Sequence, residues 1–212
     1  MFDIEKLSYN DEIQVNLFLM RYTDFDPKNH IDALTDTEKQ RLATFKSLKR
    51  QREFIAVRKL KNELFGNAPI QYNAIGAPYI EEGAFISISH SNNLVGIAHS
   101  QSLIGFDLEP IDEKVHRVKE KFLSPWEKQY FDTKSTTELI RIWSAKEALY
   151  KLSREKGLLF SQNLLLSKKE KDVFHAEIHT KNQHNSVLLQ SEVKGDTVIS
   201  LNITPLRTVA NG

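Results

Sequence analysis

Phe85-Ile-Ser-Ile-Ser-His-Ser-Asn-Asn-Leu-Val-Gly-Ile-Ala98 decides the fold class of this chain. Phe85–Ser89 has the two-residue period of a strand, Ser91–Asn93 is turn chemistry, and Leu94–Ala98 reads as the return strand. A third run, Leu103 to Glu109, ends at Pro110. Three short strands with tight connections predict an antiparallel sheet. Upstream, Ile13, Val15, Leu17 and Leu19 alternate as another strand. Thr35-Asp-Thr-Glu38 then has the pattern of a capping box, predicting a helix to about residue 65, broken near Ser47, with Gly66 just past its end. Downstream, Ser124-Pro-Trp-Glu127 combines a capping box with proline at the first helical position. Ser135-Thr-Thr-Glu138 opens a helix running to about Ser153, and the tail holds strand-like runs over 173–179, 186–194 and 197–204. The pattern is α+β, with helices and strands in both halves.

Composition narrows the chemistry by exclusion. The 212 residues carry 29 Lys+Arg against 28 Asp+Glu, a formal net charge of +1. That balance gives no broad electrostatic reason to expect nucleic acid or an anionic membrane as partner. Zero cysteines rule out disulfides, Cys-zinc sites and a thiol nucleophile. No stretch approaches the ~18 apolar residues of a membrane-spanning helix. The N-terminal dozen residues hold four acids and no apolar core, so no secretory signal and a cytoplasmic location are expected. No linker divides the chain, so any two lobes must be closely joined.

Four segments carry chemistry. In Gly105-Phe-Asp-Leu-Glu-Pro110, strand alternation puts Asp107 and Glu109 on one face about 7 Å apart, a spacing suited to gripping one hard cation. The same pattern also describes a half-buried strand with a solvated polar face. In Arg141-Ile-Trp-Ser-Ala-Lys-Glu-Ala-Leu-Tyr-Lys151, Trp143, Glu147 and Lys151 share a helical face. Glu147 and Lys151 there could equally be a surface ion pair worth about 0.2–0.5 kcal/mol. Ser87-Ile-Ser-His-Ser91 offers one imidazole and neighbouring hydroxyls to phosphate oxygens, or simply caps a turn. Lys46-Ser-Leu-Lys-Arg-Gln-Arg52, followed by Arg58, supplies either an anion pocket or a solvated helix face.

The order of these segments resembles one family. A basic helix carrying Arg52 and Arg58 around Phe54, Gly76-Ala-Pro-Tyr79, Ile88-Ser-His-Ser91, Gly105-Phe-Asp-Leu-Glu109, Phe122-Leu-Ser-x-x-Glu127 and Trp143-Ser-Ala-Lys-Glu-Ala-x-x-Lys151 follow one another as in the Sfp-type 4′-phosphopantetheinyl transferases. The resemblance covers about residues 35 to 160. It implies a pseudo-duplicated two-lobed fold, each lobe a small, mainly antiparallel sheet on a long helix. The lobes would be 1–100 and 101–212, with coenzyme A in the cleft between them. It further implies transfer of the phosphopantetheine arm of coenzyme A to a serine of an apo acyl or peptidyl carrier protein, by a monomer, releasing 3′,5′-ADP.

Carried over residue by residue, Asp107, Glu109 and Glu147 would hold Mg²⁺, and Glu147 would also serve as base. Lys151 would act catalytically and on the diphosphate, while Arg52, His90, Ser89 and, more weakly, Arg58 would bind coenzyme A phosphates. Glu127 has two readings, as a helix cap or as support near the metal, and the cap accounts fully for it. Many relatives have Gly-Lys-Pro where this chain has Gly76-Ala77-Pro78, so one coenzyme A contact is missing. Two other functions compete: a non-catalytic coenzyme A or carrier-binding module, and a metal-dependent phosphohydrolase.

Overall fold

A computed structural model, which describes residues 3–80, 84–181 and 183–209, turns these periodicities into two sheets and two long helices. The first part of the chain forms β1 (Asp3–Asn10), β2 (Gln14–Arg21), α1 (Asp36–Ala43), α2 (Leu48–Phe65), β3 (Gln71–Tyr72), β4 (Pro78–Tyr79), β5 (Phe85–Ser91) and β6 (Leu94–Ser100). The second forms β7 (Phe106–Pro110), α3 (Lys119–Phe122), α4 (Pro125–Tyr130), α5 (Thr136–Ser153), α6 (Phe160–Asn163), β8 (Leu164–Glu170), β9 (Val173–His179), β10 (His184–Lys194), β11 (Thr197–Asn202) and β12 (Arg207–Thr208). The fold class is α+β.

The first sheet is antiparallel, in the order β1-β2-β6-β5-β4-β3. The second runs β7-β11-β10-β9-β8, with β12 added beside β10, and is also antiparallel. On the first sheet lies α2, whose Ala56, Val57 and Leu60 are buried with Met20, Ile86, Val95 and Ile97. On the second lies α5, whose Leu139, Ile142, Ala145 and Leu149 pack against Phe174, Ala176, Ile178 and Leu189. A third apolar cluster joins the sheets, with Val15, Leu17 and Leu19 against Phe106, Leu108, Ile199 and Leu201. Burial of this kind stabilises by about 25 cal/mol per Å² of apolar surface, so each interface is a substantial part of the fold's stability.

The helix ends follow their local chemistry. Thr35 and Glu38 form the expected capping box, as do Ser124 and Glu127, and the Ser135 hydroxyl accepts from Glu138 N. The first helical stretch is broken between Ala43 and Leu48, and Gly66 ends α2 at a φ of 59° that glycine adopts without strain.

One expectation needs correction. The run ending at Pro110 does not continue the β5–β6 sheet; as β7 it pairs with β11 in the second sheet. It meets β5 through side chains instead. Ser87 Oγ accepts from Phe106 N at 3.0 Å, and Ser89 Oγ accepts from Leu108 N at 3.1 Å. The two serine hydroxyls replace a backbone ladder, which strand periodicity alone does not reveal. β1 and β8 escaped the periodicity as well: β1 has partly polar faces, and Leu164-Leu-Leu166 is a continuous apolar run with no alternation.

Two contacts fix α5, one against the entrance of β7 and one on its other flank. A Cβ added at Gly105 would lie 2.0 Å from Ala148 O and 2.7 Å from Leu152 Cβ, so the strand entrance rests directly on helix backbone. Lys146, with no exposed surface, donates to Phe122 O at 2.6 Å, Glu127 Oε2 at 2.7 Å and Phe160 O at 3.0 Å. Glu127 completes the knot by accepting from Ser124 N and Leu166 N. Gly105→Ala is therefore expected to destabilise the protein by about 1–3 kcal/mol or more, since backbone cannot yield as a side chain can. Urea unfolding checks this; an unchanged midpoint would mean that α5 does not press on Gly105.

Candidate active site

Strand β7 presents Phe106 and Leu108 to the core and Asp107 and Glu109 to the opposite side, as two-residue alternation requires. Asp107 is buried at 4% exposure. Its Oδ1 accepts from Ser89 Oγ at 2.9 Å and from Lys151 Nζ at 2.8 Å, while Oδ2 is buried with no partner. A buried carboxylate oxygen left unpaired costs about 1–3 kcal/mol, more for a charged group, so Oδ2 is suited to ligate a cation.

Glu109 and Glu147 flank it. Burial first, then the Asp107 charge, pushes both carboxyls up to about 7. Trp143 Nε1 donates to Glu109 Oε1 at 2.8 Å and partly offsets the rise there, and Lys151 does so for both acids. The indole itself lies between Phe122 and Phe160, which fixes its direction. Thus α5 delivers Trp143, Glu147 and Lys151 from one face to β7, and the anticipated Glu147–Lys151 pairing gives way to Lys151–Asp107. The three acids feel one another's charge without forming a closed cage, since their oxygens do not all lie within 4.8 Å of one another. Mg²⁺ suits such a set: it keeps several waters and takes one or two carboxylates together with substrate phosphates.

A cleft of ≈ 310 Å³ that both halves of the chain line reaches this group through Lys151, while the three acids lie outside its lining. Arg41, Arg50 and Arg58 come from the first half, and Lys151, Arg154 and Lys156 from the second. His90 sits in the wall with Nε2 2.7 Å from Arg50 NH1 and Nδ1 3.5 Å from Glu53 Oε1. An arginine can only donate, so Nε2 accepts and the imidazole is neutral with its proton on Nδ1. Burial, outweighing Glu53 and aided by Arg50 and Lys151, lowers the pKa of His90 in keeping with that tautomer.

The expected phosphate ligands are placed unequally. Ser89 lies in the seam on Asp107, His90 lines the cleft, and Arg58 lines it with its guanidinium committed to Glu38 Oε1 at 3.2 Å and Tyr72 OH at 3.1 Å. Arg52 turns away: Nε donates to Phe25 O at 2.8 Å and NH1 pairs with Asp24 at 3.0 Å. Arg50 stands at His90 instead. Helical spacing could have found it, since Arg50, Phe54, Val57 and Arg58 follow an i, i+4, i+7, i+8 stripe that Arg52 leaves. Arg154, one turn after Lys151 and left-handed at φ 55° where α5 ends, and Lys156 beyond it are further basic groups that motif matching passes over. Glu127 is fully consumed by its cap, Lys146 and Leu166 N, as the cap reading has it.

No curated protein matches the chain. The segment from 103 to 201, which holds Asp107, Glu109, Glu147 and Lys151 and runs from the entrance of β7 through most of β11, matches the family model of the 4′-phosphopantetheinyl transferase superfamily.

Proposed function

We propose that the protein is a cytoplasmic, monomeric Sfp-type enzyme that transfers the 4′-phosphopantetheine arm of coenzyme A to a serine of an apo acyl or peptidyl carrier protein. Residues 1–100 and 101–212 would be two pseudo-duplicated lobes with coenzyme A between them. The observation that carries this reading is the unpaired Asp107 Oδ2, buried beside a basic cleft to which both halves contribute.

Asp107, Glu109 and Glu147 would hold Mg²⁺, which when bound neutralises charge on the diphosphate. Arg50, with His90 beside it, would exchange its Glu53 partner for a coenzyme A phosphate, and Arg154 and Lys156 would extend the positive wall. Lys151 exchanges its Asp107 partner for the diphosphate and offsets the charge of the leaving nucleotide. Glu147, with a carboxyl near 7, is matched to taking the proton from the carrier serine, directly or through a water. The serine oxygen then bonds to phosphorus as the phosphoanhydride bridge breaks, and 3′,5′-ADP leaves with the bonding pair. Ala77 supplies no charge, yet Lys156 Nζ donates to Ala74 O at 3.2 Å, so a lysine from the second half already stands at that loop. This weakens the main argument for a non-catalytic binding module.

Incubation with coenzyme A, Mg²⁺ and a panel of apo carrier proteins should add the arm, read by mass spectrometry of the carrier. A panel left unmodified where a known transferase modifies it would defeat the proposal. Asp107→Ala should lower kcat by about a hundredfold or more, a loss of a few kcal/mol of charge stabilisation.

Arg50→Ala should raise KM for coenzyme A about tenfold, while Arg52→Ala should stay within about twofold of the parent. The reverse order would return the phosphate site to Arg52.

The raised carboxyls also fix a pH effect. A carboxyl near 7 in the fold and near 4.5 when unfolded gives stability below 4.5 that is lost as pH rises through 7. Mg²⁺ should relieve that loss, so the gain in Tm on adding Mg²⁺ should be larger at pH 8 than at pH 5. Equal gains at both pH values, by scanning calorimetry, would separate the acids from the ion.

A further inference from the structure

We propose that Glu177, His179 and His184 bind a divalent transition-metal ion, Zn²⁺ foremost, on the outer face of the second sheet. The site shares no residue with the cleft and stands independently of the transfer reaction.

The fold places the three side chains together. Along β9, Phe174, Ala176 and Ile178 are buried under α5, so the alternate residues Glu177 and His179 point to the opposite face. His179 pairs directly with His184 across the β9–β10 hairpin, while Glu177 pairs with Ser186, two residues along β10 and on the same side as His184. The backbone beneath is held: Thr180 N donates to Gln183 O at 2.9 Å, and Asn163 Nδ2 donates to His179 O at 2.7 Å.

The side-chain geometry is that of a ligand set. Glu177 Oε2 lies 2.7 Å from His179 Nε2 and 3.1 Å from His184 Nε2, and the three donor atoms all fall within 4.8 Å of one another. Ligands about 2.0–2.1 Å from a tetrahedral zinc are about 3.3 Å apart, so the cluster needs only a slight expansion to admit the ion. Among the described residues this is the one His/Cys/Asp/Glu group drawn so close. Glu177 supplies a carboxylate oxygen and each histidine an imidazole nitrogen to the set.

Donor type sets the ion. Two imidazoles with one carboxylate suit Zn²⁺, Ni²⁺, Co²⁺ or Cu²⁺, whereas Mg²⁺ and Ca²⁺ favour oxygen. The Asp107 group, with oxygens only, has the opposite preference. Side-chain exposures of 32%, 39% and 30% for Glu177, His179 and His184 leave an entry path and a fourth coordination position open to water. Bound there, the ion would clip the end of the hairpin.

The test is calorimetric titration of the full chain with zinc chloride in excess Mg²⁺, with native mass spectrometry for stoichiometry. One Zn²⁺ per chain is expected. His179→Ala, His184→Ala and Glu177→Gln should each weaken it at least about tenfold, while Asp107→Ala should leave it unchanged. Co²⁺ should give a tetrahedral visible spectrum that His184→Gln removes, a second readout if an alanine variant folds poorly. No saturable binding, or equal affinity in a His179→Ala/His184→Ala protein with unchanged circular dichroism, would overturn the site.

Discussion

Two serine hydroxyls hold the halves of this molecule in register. Ser87 and Ser89 on β5 accept from the amides of Phe106 and Leu108 on β7, where a backbone ladder would otherwise have been needed. Each such bond is worth only about 1 kcal/mol net, yet leaving the buried amides unmet would cost more. The apolar cluster between the sheets supplies the attraction, and the hydroxyls select the alignment. Ser89 does a second thing with the same oxygen by donating to Asp107 Oδ1. Strand alignment and carboxylate orientation are thus one constraint.

Helix α5 carries the rest of the chemistry, and it is fixed from both sides. Gly105 lets β7 rest on the helix backbone, and Lys146 ties the opposite flank to Phe122, Glu127 and Phe160. Removing either member of a fully buried ion pair leaves an uncompensated charge, so Lys146 and Glu127 act as a unit. Between these anchors, Trp143, Glu147 and Lys151 have little freedom to drift from Asp107 and Glu109. The neighbouring residues Lys146 and Glu147 therefore have separate tasks, one holding the helix and one standing beside Asp107 and Lys151.

Much of this was legible in the sequence because it is local. Capping boxes, the helix break before Leu48, the β5–β6 hairpin and the shared face of Trp143, Glu147 and Lys151 all depend on spacings of a few residues. What escaped depends on which segments meet. Nothing in Leu103–Glu109 says that it pairs with β11 rather than β6, because both partners would bury the same apolar face. Arg50 was passed over for Arg52 because motif matching weighs residue type, whereas α2 decides by angle which arginine faces the cleft. His179 and His184 have the His-x4-His spacing found in zinc sites, but only the hairpin register shows that Glu177 joins them.

The strand orders have one more consequence. Every strand of the first sheet lies before residue 101 and every strand of the second after residue 105, so neither sheet waits for the other half of the chain to build its ladder. The hairpins within each sheet pair locally, whereas β2–β6 joins Arg21 to Leu94 and β7–β11 joins Pro110 to Thr197, so the slow loop closures also fall inside each half. His90 belongs to the first half and Asp107, Glu147 and Lys151 to the second. A chain with its halves undocked would keep both ladders and lack the cleft, so ligand binding reports how the halves meet rather than the presence of secondary structure.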